Sequence, residues 1–263
     1  MDKINVYNLK GDKTVLVERP KVFNLKPRKD LMEMAAEVKQ SHKIQPKGRN
    51  KRAGLRGVAE GWGTGHGMAR TPRIKGSGFP TARNAGRVPY AKGGRAAHPI
   101  KVEKKLNKKM NRTVNRISIA SAISASANIN FIKKRGHVTE KIPEIPLVID
   151  DKIQTIKKTS KINSILEDLG FKEDLLKAKK KCKKIRPGIG KGRGRKYKNA
   201  KSLIIIIKED FGIVRAGRNI PGLDIVTVEN LSIDDLAPGG ISGRLILWAQ
   251  SAFKELNKYE DMI

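Results

Sequence analysis

The chain carries one cysteine, Cys182, in 263 residues. A single thiol excludes an internal disulfide framework and a cysteine-based zinc cluster, and it fits a reducing, intracellular setting. Aromatic side chains make up 5% of the chain and hydrophobic ones 38%, both low for a compact enzyme of this length, so part of the chain does not serve a core. Long apolar runs are missing as well. The longest unbroken aliphatic stretch, residues 203–207, falls far short of the about 18 residues that a membrane span needs. The opening residues, MDKINVYNLKGDK, contain no apolar h-region, so no secretory signal is expected. The scarcest class is the acidic one: 25 Asp+Glu face 57 Lys+Arg, a net charge of +32. Such a charge repels itself in a compact state, and a dense polyanion is the expected partner.

The charge is unevenly placed. Residues 43–101 hold 14 basic and 1 acidic side chains, and residues 177–201 hold 13 basic and none acidic, so each segment contributes +13. Residues 140–176 and 202–263, by contrast, come to −2 and −3. The first basic segment contains 12 of the 25 glycines and 5 of the 12 prolines and shows neither a 2-residue nor a 3.6-residue apolar period. Helix and strand are both poor readings of it. A structureless stretch of this length is not expected inside a compact domain, so it reads as an extension ordered by a partner. Its arginines (Arg49, Arg52, Arg56, Arg70, Arg73, Arg83, Arg87 and Arg95) suit bidentate phosphate contact, and Lys75 and His98 join them as candidates. Trp62, Phe79 and Tyr90 are placed to stack on unpaired bases. In the second segment a helix from Glu173 stops at Pro187 and Gly188. Residues 190–198 (GKGRGRKYK) then read as a loop laid on a phosphate backbone through Lys191, Arg193, Arg195, Lys196 and Lys198, with Tyr197 as a stacker.

The remainder reads as an ordinary domain. Residues 4–7 and 15–17 fit a hairpin. Residues 29–40 carry a helical stripe at Leu31, Met34, Ala35 and Val38. Residues 104–131 read as one long helix or two, ending near Gly136. Residues 146–150, 203–207, 222–228 and 244–248 read as strands, the second as a central parallel strand because it is continuously β-branched. Helices are expected at 160–169 and 250–259. Strands alternating with helices indicate an α/β domain with a mostly parallel sheet. The expected organisation is a globular domain of residues 1–42 and 102–263, an extended basic insertion at 43–101, and a basic loop at 177–201 within the domain.

No catalytic or cofactor motif survives inspection. Residues 63–67 (GTGHG) lack a preceding strand and a following acidic residue, and Gly192 stands where a phosphate-binding Gly-Lys motif needs Ser or Thr. His42, His66, His98 and His137 show no metal-ligand spacing. Cys182 sits among lysines without a histidine nearby in sequence. The pairs Asp150–Asp151 and Asp234–Asp235 fall at element ends, where capping explains them. No cofactor, metal, small-molecule substrate or membrane partner is expected.

Residues 193–202 (RGRKYKNAKS), 218–224 (RNIPGLD), 236–245 (LAPGGISGRL), 53–56 (AGLR) and 97–99 (AHP), in this order, resemble the family of large-subunit ribosomal protein four in its archaeal/eukaryotic form. The resemblance covers essentially the whole chain. The long C-terminal extension of many eukaryotic members is missing, which favours an archaeal source. The resemblance implies a Rossmann-like three-layer domain without a nucleotide site and an extension threading into large-subunit rRNA toward the peptide exit tunnel. The tip of that extension is expected around Gly63, Gly65, His66, Gly67, Met68 and Arg70. Implied partners are large-subunit rRNA, neighbouring large-subunit proteins and the nascent peptide, in a cytoplasmic ribosome. The alternative is a non-ribosomal RNA-binding or RNA-chaperone protein, which accounts for the charge but not for a basic arm embedded within an α/β domain. Deleting residues 61–75 is expected to shift the thermal midpoint of the globular domain by less than about 4 °C; global unfolding of the deletion variant in a circular-dichroism melt would sink the insertion reading.

Overall fold

The computed structural model describes residues 3–262. They fall into two compact units, one formed by the chain up to Gln40 and from Lys109 onward, the other by Ser41–Lys108.

In the first unit, β1 (Lys3–Tyr7) and β2 (Lys13–Glu18) form the expected hairpin, with Ile4 opposite Val17. Asn8 shapes its turn: the side-chain oxygen accepts from the Lys10 and Asp12 amides at 2.8 and 3.0 Å, as asparagine does in turns. The helix α1 (Lys29–His42) follows. Its buried apolar residues are Leu31, Met32, Ala35 and Ala36, while Met34 is 50% exposed. The stripe is therefore rotated from the predicted one, because the fully buried Met32 rather than Met34 turns inward.

In the second unit, β3 (Ala59–Glu60) and β4 (Arg73–Ile74) pair antiparallel. The segment is thus not free of strand. Two residues per strand are too few to leave a period in the sequence, and the pairing is held by cross-ribbon side chains described below.

Returning to the first unit, the stretch expected to be helical from residue 104 holds two helices, the second of the expected alternatives, α2 (Arg112–Ser126) and α3 (Ile129–Arg135), but the first starts at Arg112 rather than at 104. The lysines at 104, 105, 108 and 109 precede the helix instead of joining it; on a helix, like charges three or four residues apart would face one another. The break falls at Asn128, whose side chain accepts from the Asn130 amide at 2.9 Å and so caps α3. The buried serines of α2 are small enough for close packing, and three of them bond their hydroxyls locally or nearby. Ser118 donates to the Asn115 carbonyl and Ser126 to the Ile123 carbonyl at 2.6 Å each, and Ser124 donates to the Leu25 carbonyl.

The remaining elements alternate: β5 (Leu147–Ile149), α4 (Thr159–Asp168), α5 (Lys172–Cys182), β6 (Ile204–Ile207), α6 (Ile213–Gly217), β7 (Asp224–Thr227), α7 (Ile233–Leu236), β8 (Ile246–Ala249) and α8 (Gln250–Lys254). The chain then runs on as a 3-10 helix, Glu255–Met262, so the expected terminal helix changes form after Lys254. Six strands make one sheet in the order β2-β1-β5-β8-β6-β7, antiparallel only between β1 and β2. This is a mixed α/β unit with a mostly parallel sheet, as the alternation predicts. All four isoleucines of β6 are buried, each contributing on the order of 1.5–3 kcal/mol. Phe23, Trp248 and Phe253 form an aromatic cluster with centroids 5.5–6.2 Å apart.

One cation lies inside this core. Arg244, just before β8, is fully buried. Its guanidinium donates to the carbonyls of Ser202 at 2.8 Å, Asp235 at 2.7 Å and Leu203 at 3.2 Å, and to the Asp224 carboxylate at 2.5 Å. It thereby ties the starts of β6, β7 and β8 to the end of α7. Gly243, before it, has φ +86, and a Cβ there would stand 2.5 Å from the Phe131 carbonyl, so the GR pair is set by a close backbone approach. Arg244→Met is expected to cost about 3–5 kcal/mol, since it strands these acceptors; urea unfolding with an unchanged slope measures it, and a loss below about 1 kcal/mol would contradict the assignment.

Candidate nucleic-acid interface

The second unit builds its surface from backbone turns stitched by arginine. Arg87 donates Nε to the Gly57 carbonyl at 3.0 Å and Nη2 to the Leu55 carbonyl at 3.2 Å. Arg73 donates Nη1 to the Arg83 carbonyl at 2.9 Å, and its guanidinium lies 5.5 Å from the Trp62 ring centroid. Trp62 also meets His66 edge-on at 5.7 Å. Lys75 pairs with Glu60 across the ribbon, and this contact holds the Glu60 carboxyl below its ordinary range. The pair is exposed and contributes little stability.

Two of these arginines adopt left-handed backbone: Arg83 has φ 60 and Arg87 φ 58, a conformation that costs a non-glycine residue about 1–2 kcal/mol. The guanidinium bonds of Arg87 offset that cost. Gly54 admits no side chain, because at φ +81 a Cβ would sit 2.4 Å from the Gly94 backbone.

Among the sequence candidates in this unit, Arg73 and Arg87 therefore have a structural task, and a guanidinium's five donors leave others outward. Arg49, Arg52, Arg56, Arg70 and Arg95 are exposed, as is His98, and no carboxylate pairs with these arginines among the described residues. Gly63, Gly65, His66, Gly67 and Met68 are exposed together with Arg70. Trp62, Phe79 and Tyr90 present 37%, 42% and 72% of their surfaces, so all three rings offer area for stacking.

The basic loop of the first unit is closed by a residue the sequence reading passed over. That residue is Arg186. Its backbone amide donates to the Lys196 carbonyl at 2.8 Å, its Nε to the Arg195 carbonyl at 3.2 Å and its Nη2 to the Tyr197 carbonyl at 3.4 Å. Its position immediately before Pro187–Gly188 is the only local signal of a turn residue. Within the loop, residues 189–193 form a 3-10 turn ended by Gly194 at φ 76. Lys191, Arg193, Arg195, Lys196 and Tyr197 are exposed and Lys198 is half-buried, with the Lys196 ammonium 5.6 Å from the Tyr197 ring. Cys182 is absorbed by this anchorage: its sulfur accepts from the Ala200 amide at 3.3 Å. Of the two carboxylate pairs, Asp151 accepts from Gln154 and from both the amide and hydroxyl of Ser251, joining the chain after β5 to α8.

Both surfaces carry closely spaced cations on pre-shaped backbone, with exposed aromatic rings beside them, an arrangement that neutralises phosphates and receives bases. Among the described residues no group of three or more His, Cys, Asp or Glu is arranged to hold a metal ion, and no helix is long and apolar enough to cross a membrane. Arg87→Ala is expected to speed chymotryptic cleavage after Leu55 and Trp62 about tenfold, through loss of its charged hydrogen bonds; unchanged cleavage would remove Arg87 from its structural role.

The model of the Ribosomal protein L4/L1 family matches residues 17–259. Among curated proteins, the chain is 42% identical over 256 residues to the large ribosomal subunit protein uL4 of Methanosphaera stadtmanae, covering 97% of this chain and 96% of that one. It is 41% identical over 257 residues to the protein of the same name from Methanococcus aeolicus, covering 97% and 99%, and 39% identical over 253 residues to that of Methanopyrus kandleri, covering 96% and 97%. A family match over nearly the whole chain, with these identities and this coverage at both ends, makes the chain a member of the Ribosomal protein L4/L1 family.

Proposed function

We propose that this chain is a structural, non-catalytic constituent of the large ribosomal subunit, acting in the cytoplasm within the ribosome. In this reading the α/β unit is a Rossmann-like three-layer domain that has no nucleotide site, and residues 43–101 form an rRNA-binding arm. The tip at residues 63–70 lines part of the peptide exit tunnel, where it meets the nascent chain. The loop at 177–201 is a second rRNA contact, and neighbouring large-subunit proteins complete the surroundings. The observation that carries the reading is the row of exposed arginines, Arg49, Arg52, Arg56, Arg70 and Arg95, without carboxylate partners among the described residues, in a chain whose family is ribosomal.

The mechanism is electrostatic and geometric. Each neutralised phosphate releases counterions, contributing about 0.7–0.9 to the slope of log affinity against log salt. Glycine-rich turns let backbone lie close to RNA, and specificity comes from RNA shape and from unpaired bases stacking on Trp62 or Tyr197. Filter binding to large-subunit rRNA is expected to weaken by on the order of 10³-fold or more between 50 and 200 mM salt, while the protein stays with large subunits through a high-salt sedimentation wash. Release of the protein in that wash would favour a non-ribosomal RNA-binding or chaperone role instead.

A further inference from the structure

A cleft of about 360 Å³ opens in the α/β unit where the end of α3, one side of α5 and the segment entering β6 converge. Five cations line it, Lys134, Arg135, Lys177, Lys181 and Lys201, against one carboxylate, Asp174. That carboxylate is already occupied. Its Oδ2 accepts from His137 Nδ1 at 3.0 Å and from the Ser202 hydroxyl, and its Oδ1 from the Val138 amide at 3.4 Å. Burial pushes the Asp174 carboxyl up, yet the imidazole, the hydroxyl and the amide together hold it below the ordinary carboxylate range. An ionised Asp174 takes the Nδ1 proton of His137 as its donor. The other ring nitrogen, Nε2, is buried and has no hydrogen-bond partner, on a side chain only 6% exposed.

The cations are as telling as the orphan nitrogen. Lys177 donates to the Gly136 carbonyl at 2.6 Å, and Lys201 stands 3.7 Å from Asp224. Arg135 is spent on the Ile241 and Pro238 carbonyls, and burial together with the charge of Arg244 pushes it down to about 10. Lys134 and Lys181 have no carboxylate partner among the described residues. The cleft thus concentrates positive charge around a buried, unsatisfied polar atom, and a buried polar group left unpaired costs stability.

We infer that this cleft seats a backbone phosphate of RNA, with His137 donating Nε2–H to a phosphate oxygen and Lys134 and Lys181 flanking it. The inference rests on the RNA-binding reading and extends the second basic segment, through Lys181, to an anchoring contact shared with Lys134 and His137 at the end of α3. His137 then bridges Asp174, and through it Ser202 at the entrance to β6, to the bound RNA.

The test uses the full chain with histidine labelled with nitrogen-15. Binding of a large-subunit rRNA fragment is expected to move the His137 Nε2 resonance, and Lys134→Gln with Lys181→Gln is expected to lower the salt slope by about 1, the share of one phosphate. His137→Gln is expected to weaken RNA binding; because it also disturbs the buried Asp174, the double lysine variant, which touches no buried bond, decides a case in which His137→Gln fails to fold. An unmoved Nε2 resonance and an unchanged slope, with RNA still bound at full affinity, overturn the inference and leave the RNA-binding reading intact. Absence of any RNA binding overturns both. Saturation by inorganic phosphate at sub-millimolar concentration, without response to RNA, overturns the assignment to RNA.

Discussion

Repulsion among like charges, and the cost of taking any of them out of water, governs how this protein is put together. A net +32 cannot be spread through a packed interior. The chain answers by segregation. The central strands β5, β6 and β8 are apolar and completely buried, while the cations gather on an extension and a loop where water or a polyanion reaches them. The nearly neutral blocks at 140–176 and 202–263 contain four of the eight α-helices among the described residues, α4, α6, α7 and α8, and the parallel strands β5 to β8.

Arginine nevertheless enters places where lysine would fail. Arg244 in the core, Arg135 at the end of α3, Arg186 in the basic loop and Arg87 in the extension all bind backbone carbonyls. A planar fork with five donors satisfies several carbonyls that neither helix nor sheet consumes. The same residue type therefore does two jobs in this chain, internal stitching and outward phosphate contact. The stitching arginines hold the turns in the shape that presents the others. The extension is accordingly not a featureless tether: its β3–β4 ribbon, the Trp62–Arg73 contact and the left-handed Arg87 give it form of its own.

Much of the fold was legible in the sequence because strong periodic signals left little freedom. The β-branched run before residue 208 had to be an interior strand, and the hairpin around Asn8 and the helices near residues 29 and 160 followed from period and turn chemistry. The misreadings share a cause. Met34 against Met32, the late start of α2 and the two-residue strands of the extension all depend on which partner a residue meets, and pattern over a few residues does not encode partners. The candidate interface was legible as a region, since glycine, cation density and the lack of acids mark it without coordinates. Individual roles were not: Arg73 and Arg87 look in sequence like Arg56 and Arg70.

By itself, the sequence determined the class of the protein: an α/β domain, two basic devices of +13 each, and no cofactor motif, because composition and period are local and additive. Only the tertiary structure decided which cations face outward and which are spent on carbonyls. It alone brought His137, Asp174 and Ser202, up to 65 residues apart in the chain, into one buried hydrogen-bonded group. The physical reason is that a hydrogen bond or an ion pair is a matter of a few ångströms in space, and separation along the chain carries no information about such a distance until the backbone has closed.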